Sequence, residues 1–278
     1  MQYVMDVAIS ESEIKDIKEA VKENIHVNID NYVTSFLQRR IQNRMTVTGI
    51  KSYSEYISYL KKDSVESLAL NANLSINVTQ FFRNPEMWDA FKEKVIPEVI
   101  KLSNDIRPIH AWSAGCAVGN ESYSLAMMFS DAVQTKNKKF RVTATDINPT
   151  SIGVAETGQY ELEILKNVPK PSFLKFLEKV DDNLYKFRDD LKKTIHFKVG
   201  DIASFSISQV DIIMCRNLLI YYDDAAKDLL FKKFYRTLKD DGFLVLGMAE
   251  VIPRSMKESF DVVDANVRIY RKNPSKPI

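Results

Sequence analysis

Up to residue 75 the apolar positions recur three and four apart, which is the spacing of amphipathic helices. Ser10 and Glu13 form a capping box ahead of Ile14, Ile17 and Val21 and predict a first helix. Asp30 is placed to cap a second, whose apolar members are Tyr32, Val33, Phe36, Leu37 and Ile41. A third helix is expected through Tyr56, Ile57 and Leu60, and a fourth through Val65, Leu68 and Ala69. Past residue 85 the pattern changes. Short apolar runs (PIHAW, FRVTATDI, TIHFKVGDI, VDIIMCRN and GFLVLGMA, the last entered by an Asp241-Gly242 turn) alternate with helical segments at Met87–Leu102, Tyr123–Val133 and Ala225–Leu238. That alternation predicts an α/β class domain, a doubly wound and mainly parallel sheet covered by helices on both faces. Between 160 and 196 it gives way to a short helix and a hairpin turning at Asp181–Asn183. The division expected is a helical domain at 1–75, a linking segment at 76–90 and an α/β domain at 91–278.

Composition removes several function classes. With 278 residues, 45% of them hydrophobic, the chain can bury one large core and a smaller one. Lys+Arg 39 against Asp+Glu 37 leaves a net charge of +2, too balanced for a protein that neutralises many phosphates, so no nucleic-acid partner is expected. The opening MQYVMDVAISESE has neither the basic nor the apolar region of a signal peptide, and the runs VDIIMC and FLVLGMA are too short to span a bilayer. A cytoplasmic location without membrane insertion is the expectation. Cys116 and Cys215 fall in predicted strand ends, and the three histidines show no metal-ligand spacing. Neither a disulfide nor a metal is expected.

Candidate chemistry gathers in HAWSAGCAVGNESYS, His110 to Ser124, where a strand ends, Gly115 and Gly119 punctuate a turn, and a helix begins. Such a turn lies at the carboxyl edge of the sheet, where doubly wound folds bind ligands. Without Cβ atoms the main chain can lie against a ligand, although a plain tight turn would use the same glycines. VTATDIN ends in Asp146, placed either to accept from both hydroxyls of a ribose or to cap the helix before Ile152. After the third run, Asp201 could accept from an adenine amino group with Ile202 packed on the ring; a turn role is the alternative. Glu121 and Asn120 at the helix start oppose a pyrophosphate, which needs unobstructed amides there. An adenosine bearing an ammonium-ended tail fits these charges, and S-adenosylmethionine is such a molecule.

NVTQFFRNPEMW (Asn77–Trp88), AWSAGCAVGNESYSLAM, ATDIN, MCRNLLIYYD (Met214–Asp223) and GFLVLGMAE stand in the order found in the chemotaxis receptor methyltransferase family, which the chain resembles over nearly its whole length. VGNESYS departs from that family's usual TGEEPYS, and GMAE from its GHSE. The resemblance implies a class I S-adenosylmethionine-dependent methyltransferase of Rossmann-like fold, with a small all-helical N-terminal domain and a small β subdomain inserted at about 160–196. It implies methylation of glutamate carboxylates on chemoreceptors, with S-adenosylhomocysteine as product. On that reading Asn77, Thr79 and Arg83 lie over the cofactor, with Arg83 near the transferred methyl. Gly115 lends its bare main chain, Glu121 holds the methionine tail, Asp146 the ribose, and Asp201 with Ile202 the adenine side. Arg216 and Asn217 follow the fourth strand into the site, and Tyr221 occupies the active-site tyrosine position.

Taken without the family, Arg83 reads as a surface arginine, and Phe81 and Phe82 as core. Arg40 and Arg44, four apart, share a helix face and form an outward basic ridge suited to acidic chemoreceptor helices, or simply a solvated face. A monomer is expected. Two rival readings are a noncatalytic scaffold that binds cofactor or receptor and a nucleic-acid methyltransferase, although Cys215-Arg216-Asn217-Leu218 stands where amino-methylating enzymes carry an Asn-Pro-Pro-Tyr-like strand tip.

Overall fold

A computed structural model describes residues 9–74, 79–103, 108–134, 136, 138–276 and 278. The chain divides into two compact units, Met1–Ile76 with Tyr221–Ala226, and Asn77–Ile220 with Lys227–Ile278.

The smaller unit is built on α1 (Glu11–Ile25), α2 (Thr34–Thr48), α3 (Tyr53–Leu60) and α4 (Ser64–Leu74). The capping box at Ser10 and Glu13 forms as the sequence predicts. Asp30 caps nothing. Residues 31–33 are instead extended against 221–223, with Val33 N–H donating to the Tyr221 carbonyl at 2.9 Å and Asp223 N–H to that of Asn31 at 3.0 Å. That pairing delays the helix to Thr34, and the Asp30 N–H itself is taken by Asn28 Oδ1. The fourth helix exists where expected but turns another face inward. Val65 is 70% and Leu68 46% exposed, while Glu66, Ser67, Leu70, Asn71 and Leu74 are buried. Buried polar partners explain the rotation. Glu66 receives Arg44 Nε at 2.9 Å, Arg44 Nη2 at 2.6 Å and the Tyr56 hydroxyl at 2.7 Å, and Ser67 accepts from Asn24.

The larger unit contains α5 (Pro85–Ala90), α6 (Ile96–Leu102), β1 (Ile109–Ala114), α7 (Asn120–Val133), β2 (Phe140–Asp146), α8 (Pro149–Thr157), β3 (Gln159–Glu161), α9 (Lys170–Phe176), β4 (Leu177–Lys179), β5 (Leu184–Phe187), α10 (Asp189–Lys192), β6 (Ile195–Val199) and β7 (Val210–Cys215). It continues with α11 (Asp224–Thr237, in this unit from Lys227), β8 (Leu238–Leu246), β9 (Phe260–Asp264) and β10 (Ile269–Lys272). The sheet has seven strands in the order β6-β2-β1-β7-β8-β10-β9, parallel from β6 through β8 and antiparallel at β10 and β9. β1 is buried along its whole length, as a parallel strand covered on both faces must be. The antiparallel sheet β3-β5-β4 is the inserted subdomain, its hairpin turned by Asp181 Oδ1 accepting from the N–H groups of Asn183 and Leu184.

Two local features differ from the sequence reading. Asp241-Gly242 does not lead into β8 but lies within it, where the pairing with β7 jumps from Val210↔Leu238 to Ile212↔Phe243 and Asp241 adopts φ 64°. The helical segment after Met87 contains a π turn at Phe91–Val95. Pro97 stands two residues beyond it, has no N–H, and its ring would crowd the carbonyl four residues back, inside that turn; a widened turn relieves the conflict.

Candidate active site

Parallel strands bring their carboxyl ends to one edge, and the turns beyond β1, β2, β6 and β7 carry the candidate residues. Beyond β1, Gly115 and Gly119 have φ of 82° and 92°, conformations open to glycine. The space beside them is filled by the protein itself. A Cβ on Gly115 would meet Leu218 Cδ2 at 2.5 Å, and one on Gly119 would meet Ala155 Cβ at 2.9 Å and the Tyr160 hydroxyl at 3.0 Å. On the Cβ side, therefore, the glycines let neighbouring side chains close over the turn.

Asp146 ends β2 and is 8% exposed. Its Oδ2 accepts from Ala117 N–H at 2.8 Å and its Oδ1 from Asn148 N–H at 2.9 Å. Two carboxylate oxygens offer about four acceptor positions, so capacity for a vicinal diol is left over. Burial pushes this carboxyl up, and the backbone N–H groups pull it back. Asp146 does not cap the next helix, since Asn148 does that through Thr150 and Ser151 N–H.

Glu121, in the first turn of α7, accepts from Ser113 Oγ at 2.8 Å and lies 3.6 Å from Arg216 Nη1. Burial raises its carboxyl, against Arg216 and Ser113, which lower it. A buried carboxylate of this kind favours a cationic ligand group, whose charge would offset the desolvation. Arg216, just beyond β7, has only 3% of its side chain exposed. Its Nη2 donates to the Arg83 carbonyl and to Asn84 Oδ1, both at 2.9 Å, and burial lowers its pKa. The structure thus brings Arg83, Glu121 and Arg216 into one network. The chain around Arg83 is strained, with φ of 48° at Phe82 and 61° at Asn84, and Phe81 is core, in edge contact with Tyr160.

Asp201 opens a tight turn in which its Oδ1 accepts from Ala203 N–H and its carbonyl from Ser204 and Phe205; the adjacent Ile202 is buried. Thr79 is half-buried, and Asn77 lies outside the described residues. Tyr221 belongs to the smaller unit, its ring stacked on Phe36 at 4.5 Å. There Arg40 lies over the Phe36 ring at 5.3 Å. Arg44, by contrast, is turned to Glu66 and is not part of an outward ridge, because a buried carboxylate commands its planar fork.

Three contributors escaped the sequence reading. Ser113 and Asn84 lie inside the quoted stretches AWSAGCAVGNESYSLAM and NVTQFFRNPEMW, where their spacing alone gives them no role. Lys233, on α11, sends Nζ to the carbonyls of Ile202, Ala203 and Phe205 at 2.7, 3.0 and 2.6 Å, pinning the Asp201 turn from a residue 28 to 31 positions away.

Comparison with known proteins decides among the cofactors such an edge could take. Residues 77–269 match the family model described as CheR methyltransferase, SAM binding domain, and residues 12–74 match CheR methyltransferase, all-alpha domain. The chain belongs to the CheR methyltransferase family. It is 30% identical over 281 residues to a chemotaxis protein methyltransferase of Borreliella burgdorferi, covering 98% of each chain. To the chemotaxis protein methyltransferase of Listeria monocytogenes it is 31% identical over 234 residues, 84% of this chain and 87% of the relative. A putative S-adenosylmethionine-dependent methyltransferase structure from Methanococcus maripaludis is a remote likeness, with 16% identity, a TM-score of 0.42, and coverage of 76% of this chain and 95% of that one. In this CheR-family member the larger unit is thus the domain that binds S-adenosylmethionine, and the spare acceptors of Asp146 and the buried carboxylate of Glu121 suit the ribose and ammonium of that molecule. Among the described residues no helix is long and apolar enough to cross a membrane.

Proposed function

We propose that this methyltransferase acts, as a cytoplasmic monomer, on glutamate side chains of chemoreceptor cytoplasmic helices and forms glutamyl methyl esters. The observation that carries the reading is the pairing of two acids, the buried Asp146 and the largely buried Glu121, at adjacent turns of one sheet edge within the domain matched to S-adenosylmethionine binding. The cofactor supplies a methyl on a sulfonium: the glutamate oxygen forms the new C–O bond while the C–S bond breaks and its electron pair returns to sulfur.

The residues of this chain have no proton to move. A glutamate with a reference pKa of about 4.3 is already a carboxylate near neutrality, so neither a histidine nor a cysteine base is required. Their work is alignment and exclusion of water, and alignment of reactants can contribute about 7–11 kcal/mol. Asp146 holds the ribose hydroxyls, Glu121 the ammonium, Asp201 and Ile202 the adenine side, and Asn77 and Thr79 the segment over the cofactor. Arg83, whose carbonyl is fixed by Arg216 and by Trp88 Nε1, orients the incoming carboxylate, with Asn217 on the acceptor side. Arg40 contributes to receptor docking by charge complementarity.

Methyl-labelled S-adenosylmethionine incubated with the protein and receptor-containing membranes tests the proposal. Label released by mild base as methanol is the expected result. Label on nucleic acid, or cofactor binding without transfer, overturns it.

A further inference from the structure

One carboxylate at this edge has no role among those above. Glu250 is 3% exposed and collects four backbone N–H groups: Leu218 at 2.8 Å and Leu219 at 2.7 Å on Oε1, Asn217 at 3.0 Å and Gly247 at 2.6 Å on Oε2. It ties the turn after β7 to the turn after β8, its neighbour in the sheet. Both turns are shaped for it. Asn217 sits at φ 60°, and a Cβ on Gly247 would come within 2.7 Å of Glu250 Oε2 and 2.8 Å of Asn217 N. A carboxyl group presents acceptors on both oxygens; an amide in the same place would turn its NH2 against one pair of donors. Met248 and Ala249, where the sequence departs from the family pattern, are exposed, whereas the retained Gly247 and Glu250 make the contacts.

The turn held in this way begins at Arg216. Its guanidinium spans from the Arg83 carbonyl and Asn84 to within 3.6 Å of Glu121. A shift of the turn moves that guanidinium and with it the charge facing Glu121. Asp146 and Asp201 are anchored separately, by bonds to Ala117, Asn148 and Ala203 and by the β2–β6 pairing.

We propose that Glu250 is a positioning residue for recognition of the amino-acid end of the cofactor: by fixing the 216–219 turn it holds Arg216 against Glu121 and so sets the carboxylate that receives the ammonium. This rests on the role given to Glu121 above. Its distinguishing consequence is selectivity, since a ligand consisting of the adenosine part alone never meets the device.

Calorimetry on the full chain with S-adenosylhomocysteine and with 5′-methylthioadenosine, which lacks the amino-acid end, provides the test. Glu250→Gln should weaken the first ligand by about tenfold, one charge-assisted hydrogen bond's worth, and leave the second within about twofold. Gly247→Ala, which displaces the same carboxylate without removing it, should give the same signature. Equal weakening of both ligands, or no change in either, overturns the proposal, as does failure of both variants to fold, which would make Glu250 a determinant of the fold alone. Glu121→Gln separates the layers. If it too leaves the ratio of affinities unchanged, the reading of Glu121 is wrong; if it alone changes the ratio, only the role of Glu250 falls.

Discussion

Replacing Arg44 by alanine should unfold the helical unit locally without touching the strand-tip site. The substitution leaves the Glu66 carboxylate, 4% exposed, with the Tyr56 hydroxyl and without the guanidinium that meets both of its oxygens. Removing one partner of a buried ion pair costs about 3–5 kcal/mol, because the remaining charge stays desolvated. The Arg44 side chain is 18% exposed, so water can reach the vacated space and the lower end, about 3 kcal/mol, is the expectation. Native-state hydrogen exchange reads this segment by segment. Amides of α2 and α4 should lose about that much protection while those of β1 and β2 keep theirs. Exchanging the pair for apolar residues, Arg44→Met with Glu66→Leu, should recover most of the loss. A change below about 1 kcal/mol in the single variant would refute the reasoning, since it would mean that the ion pair is not desolvated. Arg40→Ala provides the contrast: it removes a cation–π contact worth about 0.5–1 kcal/mol, so any large loss of receptor methylation there reflects docking.

Two further outcomes follow from buried groups. His110 accepts Arg141 Nη2 on Nδ1 at 3.1 Å and bonds Thr143 Oγ1 through Nε2 at 2.9 Å, and burial, then Arg141, Lys239 and His196, lower its pKa from 6.5 to about 4. The unfolded chain therefore binds the extra proton first as pH falls: stability is full above 6.5 and is lost toward 4, by up to about 3 kcal/mol. Urea unfolding between pH 7 and pH 4 should show that loss in the wild type and a smaller one in His110→Gln; parallel pH curves would contradict it. Lys233→Met frees the Asp201 turn on the adenine side, so S-adenosylhomocysteine and 5′-methylthioadenosine should weaken by the same factor, about tenfold. Unaltered affinity for both would show that the turn holds its shape alone.

What could be read from the sequence was what neighbours in the chain determine. The Ser10–Glu13 cap and the Asp181–Asn183 hairpin depend on contacts within a few residues, and the helical periods and the strand–helix alternation are written in the spacing of apolar residues along the chain. Asp146 and Glu121 could be placed because a strand end followed by a turn fixes which edge of the sheet a residue occupies. The errors share a cause in distant partners. Arg44 looked solvated until Glu66, 22 residues away, turned it inward and rotated the fourth helix with it. Asp30 lost its capping position to an extended pairing with 221–223. Glu250 reaches three of its four donors across 31 to 33 residues, a spacing that no local pattern encodes.

Titration of the purified protein with S-adenosylhomocysteine, in parallel with Asp146→Ala, bears most directly on the claim that acids at the strand tips hold the adenosyl cofactor. One site per chain is expected in the wild type, weakened by about a hundredfold in the variant as two hydrogen bonds to a charged acceptor are lost, with near-ultraviolet circular dichroism unchanged. No binding by the wild type, or equal affinity in the variant, would contradict it.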